Sequence, residues 1–352
     1  MKLFESKRNL LIAGGILGLV AALLAYFGNP ANMAICIACF VRDTAGALKL
    51  HSAPVVQYAR PEIIGIVLGA FIISIATKEY RSTAGSSPLI RFFLGMIMVI
   101  GSLIFLGCPL RMVIRMAAGD VNAYIALVGF VGGVATGAYA LKRNFSLGRA
   151  YETSKVSGGI LPFLMVVVLV LSIFTSLLVT SKSGPGSIYA PIAVALIGGL
   201  IFGAIAQKVR MCFAGSVRDI ILLKNFNLIS IIGGFFVIML AYNLISGDFS
   251  FGLKDQPIAH SEVLWNILGM YVVGFAAVLA GGCPLRQLVL SGQGSNDAAV
   301  TVLGMFAGAA FSHNFSLASS AAGTTENGRI VTIICIVLLF IIGFSLKRKV
   351  KI

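Results

Sequence analysis

The chain has 352 residues, of which 58% are hydrophobic and 11% charged, with a mean hydropathy of +0.99. That excludes a water-soluble domain, which carries roughly 25% charged residues. The net charge of +15 does not make a nucleic-acid binder either, because Lys and Arg sit in short segments between apolar runs and no soluble module offers a basic face; cytoplasmic loops of membrane proteins collect such residues for topological reasons.

In chain order, apolar runs predict membrane-spanning helices near 9–27, 62–77, 92–106, 122–141, 160–180, 190–206, 228–246, 262–281, 297–313 and 329–346. About 20 apolar residues of helix cross a bilayer. The runs are continuously apolar rather than alternating, which selects helices over a barrel. Lys2, Lys7 and Arg8 ahead of 9–27 share the outline of a signal peptide. The apolar run is too long for a typical signal core, so an uncleaved first span is expected. Three basic clusters mark cytoplasmic segments by the positive-inside rule. They are Lys78, Arg81 and Arg91; Lys142, Arg143, Arg149 and Lys155; and Lys347, Arg348, Lys349 and Lys351. Segments 181–189, 247–261 and 314–328 hold few Lys or Arg and are expected outside. Ten spans satisfy all of these assignments, with both termini cytoplasmic. Trp265 and Tyr271 are expected as anchors at the external interface.

Four segments, 33–50, 108–118, 212–224 and 283–293, are too short or too polar to cross. Each carries a cysteine near its start. Such pieces read as re-entrant loop-helices buried among protein helices. They also repeat. "CIACFVRD" at 36–43 aligns with "CFAGSVRD" at 212–219, and Gly-Cys-Pro-Leu-Arg occurs at 107–111 and again at 282–286. Cys36 thus pairs with Cys212 and Cys108 with Cys283, at nearly one offset, which indicates a tandem duplication. The first unit covers 1–150, a linking span lies in 151–189, the second unit covers 190–315, and a final span with a basic tail fills 316–352. Counting spans places the second unit upside down relative to the first, the inverted repeat of many secondary transporters. The expected fold is therefore an all-α polytopic membrane protein, with ten spans and four re-entrant cysteine-bearing loop-helices. Four thiols are expected along one central path.

Pro109 and Pro284 suit the first position of a helix, where a missing N–H costs nothing. Cys108 and Cys283 then stand at helix N-termini, beside free N–H groups and the positive dipole end, which attract anions. Arg111 and Arg286 add full charge, and an arginine at membrane depth is usually paired or functional. Thiols are weak, soft hydrogen-bonding groups and suit a polarizable sulfur or selenium atom better than a hard oxyanion. Gly107, Gly281 and Gly282 are expected to let backbones approach closely. Arg42–Asp43 and Arg218–Asp219 read either as loop ion pairs or as pathway groups. No Walker-type phosphate loop is present, and neither a cofactor nor a metal is expected.

The paired Gly-Cys-Pro-Leu-Arg motifs and the two Cys…Val-Arg-Asp loops resemble the YeeE/YedE sulphur-transport family. The resemblance covers about 30–315. It implies an inner-membrane protein that takes up thiosulfate, with cysteines in short loop-helices passing the ion along; Cys36, Cys108, Cys212 and Cys283 match those positions. The chain looks closer to the longer YedE-like branch linked to selenium metabolism, which implies a selenium compound as the alternative to thiosulfate. A cytoplasmic sulfur-carrier protein would suit the basic face.

Blander readings apply to other residues. Cys335 stands alone in "IVTIICIVLLF" and reads as a small buried hydrophobe. Cys39 forms Cys-x-x-Cys with Cys36, but the second unit has Gly215 there, so the repeat does not preserve a redox or metal pair. His51, His260 and His313 form no ligand spacing. Arg111 and Arg286 have an alternative role in capping carbonyls. Two other functions fit less well. One is an intramembrane persulfide enzyme, which would need an acid near a low-pKa cysteine. The other is a membrane subunit of a sulfur-handling complex.

Overall fold

A computed structural model describes residues 6–346. Lys2 and the tail charges Lys347, Arg348, Lys349 and Lys351 lie outside the described residues. The fold is that of an all-α polytopic membrane protein. Ten long helices coincide with the ten expected spans: α1 (Lys7–Tyr26), α3 (Pro61–Ala76), α4 (Pro88–Phe105), α6 (Val121–Lys142), α7 (Lys155–Phe174), α8 (Ile192–Lys208), α10 (Asn227–Ser246), α11 (Val263–Leu279), α13 (Asn296–Asn314) and α14 (Glu326–Ser345). Among the described residues eight helical segments are long and apolar enough to cross a membrane; α3 is apolar but has only 16 residues, and α13 falls outside the eight. The four cysteine segments fold as short helices α2 (Ile37–Ala47), α5 (Pro109–Ala117), α9 (Phe213–Leu223) and α12 (Pro284–Gly292). A two-residue antiparallel clip, β1 (Thr83–Ala84) with β2 (Tyr151–Glu152), closes one end.

The long helices associate as parallel pairs: α1 with α10, α3 with α8, α4 with α13, and α6 with α11. Lipid gives no hydrophobic drive for helix pairing, so close backbone contact must supply it. In each pair a glycine lies directly under a carbonyl of its partner. A Cβ added to Gly234 would lie 2.1 Å from the Leu11 oxygen, and one on Gly203 2.1 Å from that of Ile66. Gly304 and Gly133 stand in the same way against Phe92 and Tyr271, at 2.0 and 2.1 Å.

Two further contacts fix direction. Gly28 meets Tyr189 while Gly198 meets Leu24, so α1 and α8 run antiparallel. Arg91 donates to the Ala280 carbonyl while Gly101 meets Gly269, so α4 and α11 also run antiparallel. The short helices fill the middle: α2 touches α12, and α5 touches α9. Helices α7 and α14 lie outside this arrangement, α7 against α3 and α12, and α14 against α11 and α4.

Tyr271 corrects one expectation. It lies two turns into α11, too deep for an interface anchor, and its hydroxyl is 2.9 Å from that of Thr136 on α6. Trp265, in the first turn, stacks with Arg329 at 5.7 Å.

The glycine contacts predict a contrast. Gly133→Ala must push α6 off α11, and such overpacking costs about 1–3 kcal/mol. Gly233→Ala on α10 meets nothing within 4 Å and should be neutral or stabilising, by up to ~1 kcal/mol of helix propensity. Thermal unfolding in detergent should separate the two variants in that order.

Candidate functional site

The short helices start where the sequence supplies caps. Cys36 and Cys212 are N-caps of α2 and α9; their sulfurs accept from the amides of Cys39 (3.4 Å) and Gly215 (3.2 Å). Sulfur thus stands where Ser, Thr or Asp usually caps a helix. Cys108 and Cys283 occupy the N-cap positions of α5 and α12 without a side-chain cap hydrogen bond, and Pro109 and Pro284 open each helix. The preceding spans stop abruptly at residues in the left-handed region, Leu106 (φ 61) and Gly281 (φ 79). Glycine takes that conformation freely, whereas leucine holds it at a cost of about 1–2 kcal/mol.

The first junction joins the tips of α2 and α5. The Cys36 sulfur lies 2.9 Å from that of Cys39 and 4.0 Å from that of Cys108. The Ala38 and Arg111 amides face the Cys108 sulfur. Arg111 reaches Cys39 at 3.4 Å, but its other donors are committed to carbonyls of Asn32 (2.8 Å), Ile258 (3.0 Å) and Leu106. The capping role therefore holds for Arg111. Beside this junction, Arg42 and Arg60 share Asp43, at 2.7 and 2.8 Å, all three buried. Arg60 also holds the Ile188 and Pro185 carbonyls. Everything at this junction is sealed from solvent.

The second junction joins the tips of α9 and α12. The Cys212 and Cys283 side chains interact directly, and the Phe213 and Arg286 amides face the Cys283 sulfur. Here the structure is open. A cavity of about 270 Å³ is lined by Cys212, Arg210, Arg218, Asp219 and Arg286. Arg286 makes one long contact, 3.3 Å to the Gln207 amide oxygen. Arg218 pairs with Asp219 at 2.8 Å at the partly exposed rim. An anion entering this cavity meets guanidinium charge, a helix N-terminus and a thiol together.

The structure thus brings the four motif cysteines together as two pairs, one in each half. Gly107 and Gly282 correct another expectation. A Cβ at Gly107 would lie 3.0 Å from Arg111 Cδ, and one at Gly282 2.8 Å from Arg286 Cγ. Those glycines make room for the arginine folding back over the helix tip, and Gly281 supplies the left-handed turn. Cys39 belongs to the first junction although its repeat mate is Gly215. Arg60, Gln207 and Arg210 also escaped the sequence reading, because they flank the short helices rather than lie in the motifs. His51 and His313, far apart in sequence, pack with ring centroids 4.6 Å apart and planes tilted by 30°. Among the described residues no three His, Cys, Asp or Glu side chains converge as a metal site.

Residues 208–346 match the model of a family described as sulphur transport. Two curated proteins align with part of the chain. The thiosulfate transporter TsuA of Spirochaeta thermophila is 30% identical over 104 residues, 29% of this chain and 31% of the relative. The thiosulfate transporter TsuA of Escherichia coli is 29% identical over 110 residues, 30% of each. The aligned part spans less than a third of either relative. Over these segments the resemblance to the YeeE/YedE family read from the paired motifs is borne out.

The difference between the junctions predicts their reactivity, which follows exposure and thiolate character. A small anionic methanethiosulfonate should label Cys212 through the arginine-lined cavity. Cys36, Cys39 and Cys108 should react more slowly by roughly an order of magnitude. Mass spectrometry of the labelled, folded protein checks the order.

Proposed function

We propose that this protein carries a sulfur-containing anion, with thiosulfate as the leading substrate, across the bacterial cytoplasmic membrane. The observation that carries this reading is the doubled junction. Two helix tips, a cluster of thiols and an arginine meet twice, once sealed with three thiols and once with two beside a cationic cavity. Helix N-termini attract anions, and a thiol gives a soft contact to a terminal sulfur while the guanidinium meets the oxygens. The names of the two relatives support the same substrate class.

The two units, 6–150 and 190–315 of the described residues, form an inverted repeat around the four short helices, with 151–189 linking them and 316–346 completing the bundle. The antiparallel pairing of α1 with α8 and of α4 with α11 supports this reading. The basic end, with Lys78, Arg81, Arg91, Lys155, Lys208 and Arg210, faces the cytoplasm. The cavity beside Cys212 therefore opens inward and the Cys36–Cys108 junction lies nearer the outside. The anion passes from the first thiol pair to the second. Each contact is weak, as conduction requires. Arg42, Asp43, Arg218 and Asp219 flank the two ends of that route. A selenium analogue of the anion fits the same soft contacts, and a soluble sulfur-carrier protein suits the basic mouth.

Uptake of labelled thiosulfate into proteoliposomes tests the proposal. Cys283→Ser and Arg286→Gln should each slow uptake about tenfold or more, the equivalent of ~1.4 kcal/mol. Cys335→Ser should leave it unchanged. Undiminished uptake in both junction variants would refute the route. Conversion of thiosulfate into another species would instead identify an enzyme.

A further inference from the structure

Glu62 is a fully buried carboxyl in the first turn of α3. Its Oε1 accepts from the Asn29 side-chain amide at 2.8 Å, and its Oε2 has no hydrogen-bond partner. An ionised carboxylate left half-satisfied away from water is far more costly than a neutral acid. A buried ionisable residue in a helix of a membrane bundle, with an unused oxygen, points to a functional position.

Two asymmetries between the halves sharpen this. Gly199 of α8 rests on the backbone of Glu62, and Gly14 of α1 rests on that of Ile231. The repeat mate of Glu62 is thus an isoleucine, so the fold does not need an acid there. The chain from Gly14 to Cys36 is also nine residues longer than that from Gly199 to Cys212. The added segment is the one that Asn29 fastens. Its amide bridges Glu62 and the Ala34 carbonyl (2.7 Å), and its oxygen accepts from the Ala190 amide (2.9 Å). Asn32, in the same segment, supplies a carbonyl that holds Arg111 over the first junction.

We propose that Glu62 is a proton-binding site that couples proton movement to anion uptake, an inference that rests on the transport reading above. The charged and titratable groups facing it are few. Asp43 comes from α2, Arg60 and Tyr58 from the loop before α3, and α8 contributes only backbone at Gly199. Lys208, Lys155 and Arg286, the one ionisable residue each of α8, α7 and α12, lie toward the other end of α3 and α8, beside Glu79, Tyr80 and Gln207. Arg42 and Arg60 share the single carboxylate of Asp43, which leaves one uncompensated positive charge. Ionised Glu62 cancels that charge; protonated Glu62 leaves it for an arriving anion. Anion and proton therefore favour each other at this junction, and the coupling is reciprocal. A cavity of about 260 Å³ is lined by Tyr58, whose hydroxyl has no partner, by Pro61, the residue before Glu62, and by Ser172, Thr175, Ser176 and Thr180.

The test uses the full chain in proteoliposomes, labelled thiosulfate, an imposed pH gradient and a clamped membrane potential. One proton per anion predicts that the steady-state accumulation ratio rises about tenfold for each unit by which the outside is more acidic. Glu62→Gln should lose that dependence while still exchanging thiosulfate at equal pH, which shows that the variant is folded. Glu62→Asp should keep the dependence. A Glu62→Gln protein that still follows the gradient, or a parent protein that moves thiosulfate regardless of it, overturns the proposal and leaves transport standing. Failure of the parent protein to move thiosulfate at all overturns the transport reading and this one with it. Infrared spectra of the parent protein give a second measurement. Thiosulfate should increase a protonated-carboxyl band that is absent in Glu62→Gln; no such band means Glu62 does not take up the proton.

Discussion

Four helices begin inside the protein rather than at its surface, and the rest of the structure follows from that. The first turn of any helix has four amides without intrahelical partners. Away from water each is expensive to leave bare. Here the nearest caps are cysteine sulfurs, and a thiol is a weak acceptor. The tips of α2, α5, α9 and α12 therefore keep much of their positive character. Arg111 and Arg286 fold back over two of them and add to it. Such a centre must be walled off from lipid. The glycine-mediated pairs that hold the outer helices in backbone contact do this, and they leave the short helices touching one another at the middle.

The halves share this plan but are not in the same condition. At the first junction three thiols lie together, Arg111 is spent on carbonyls, and the segment around Asn32 closes over it. At the second, Arg286 is nearly free and faces a cavity lined by two more arginines. An element with one sealed end and one open end is what a carrier needs in order to load on one side and unload on the other. The differences trace to a handful of residues: Cys39 against Gly215, Glu62 against Ile231, and the nine-residue addition before Cys36. The equivalences, by contrast, lie in the caps and the helix-starting prolines, which set the geometry.

Most of the fold was legible because its signals are local. Continuous apolar runs gave the ten long helices, and a cysteine ahead of a run too short to cross gave the four short ones. The duplicated motifs were legible because Cys36, Cys108, Cys212 and Cys283 recur with their neighbours. What stayed hidden depends on tertiary contact. Cys39 looked incidental because its mate is glycine, yet its sulfur is among the closest neighbours of Cys36. Glu62 looked like the edge of a span; only the structure shows an unused oxygen in a sealed place. Gly107 and Gly282 were legible as necessary but not for the right reason, since the group they admit is an arginine side chain rather than a second backbone. Arg60 reaches Asp43 from 17 residues away, a pairing that no repeat or period announces.

The central claim is that sulfur-capped helix tips bind the anion. Crystals soaked with selenosulfate, in which selenium replaces the terminal sulfur of thiosulfate, would locate it directly by anomalous scattering. The account predicts a selenium peak in the cavity lined by Cys212, Arg218 and Arg286. A peak confined to sites away from both junctions would contradict it.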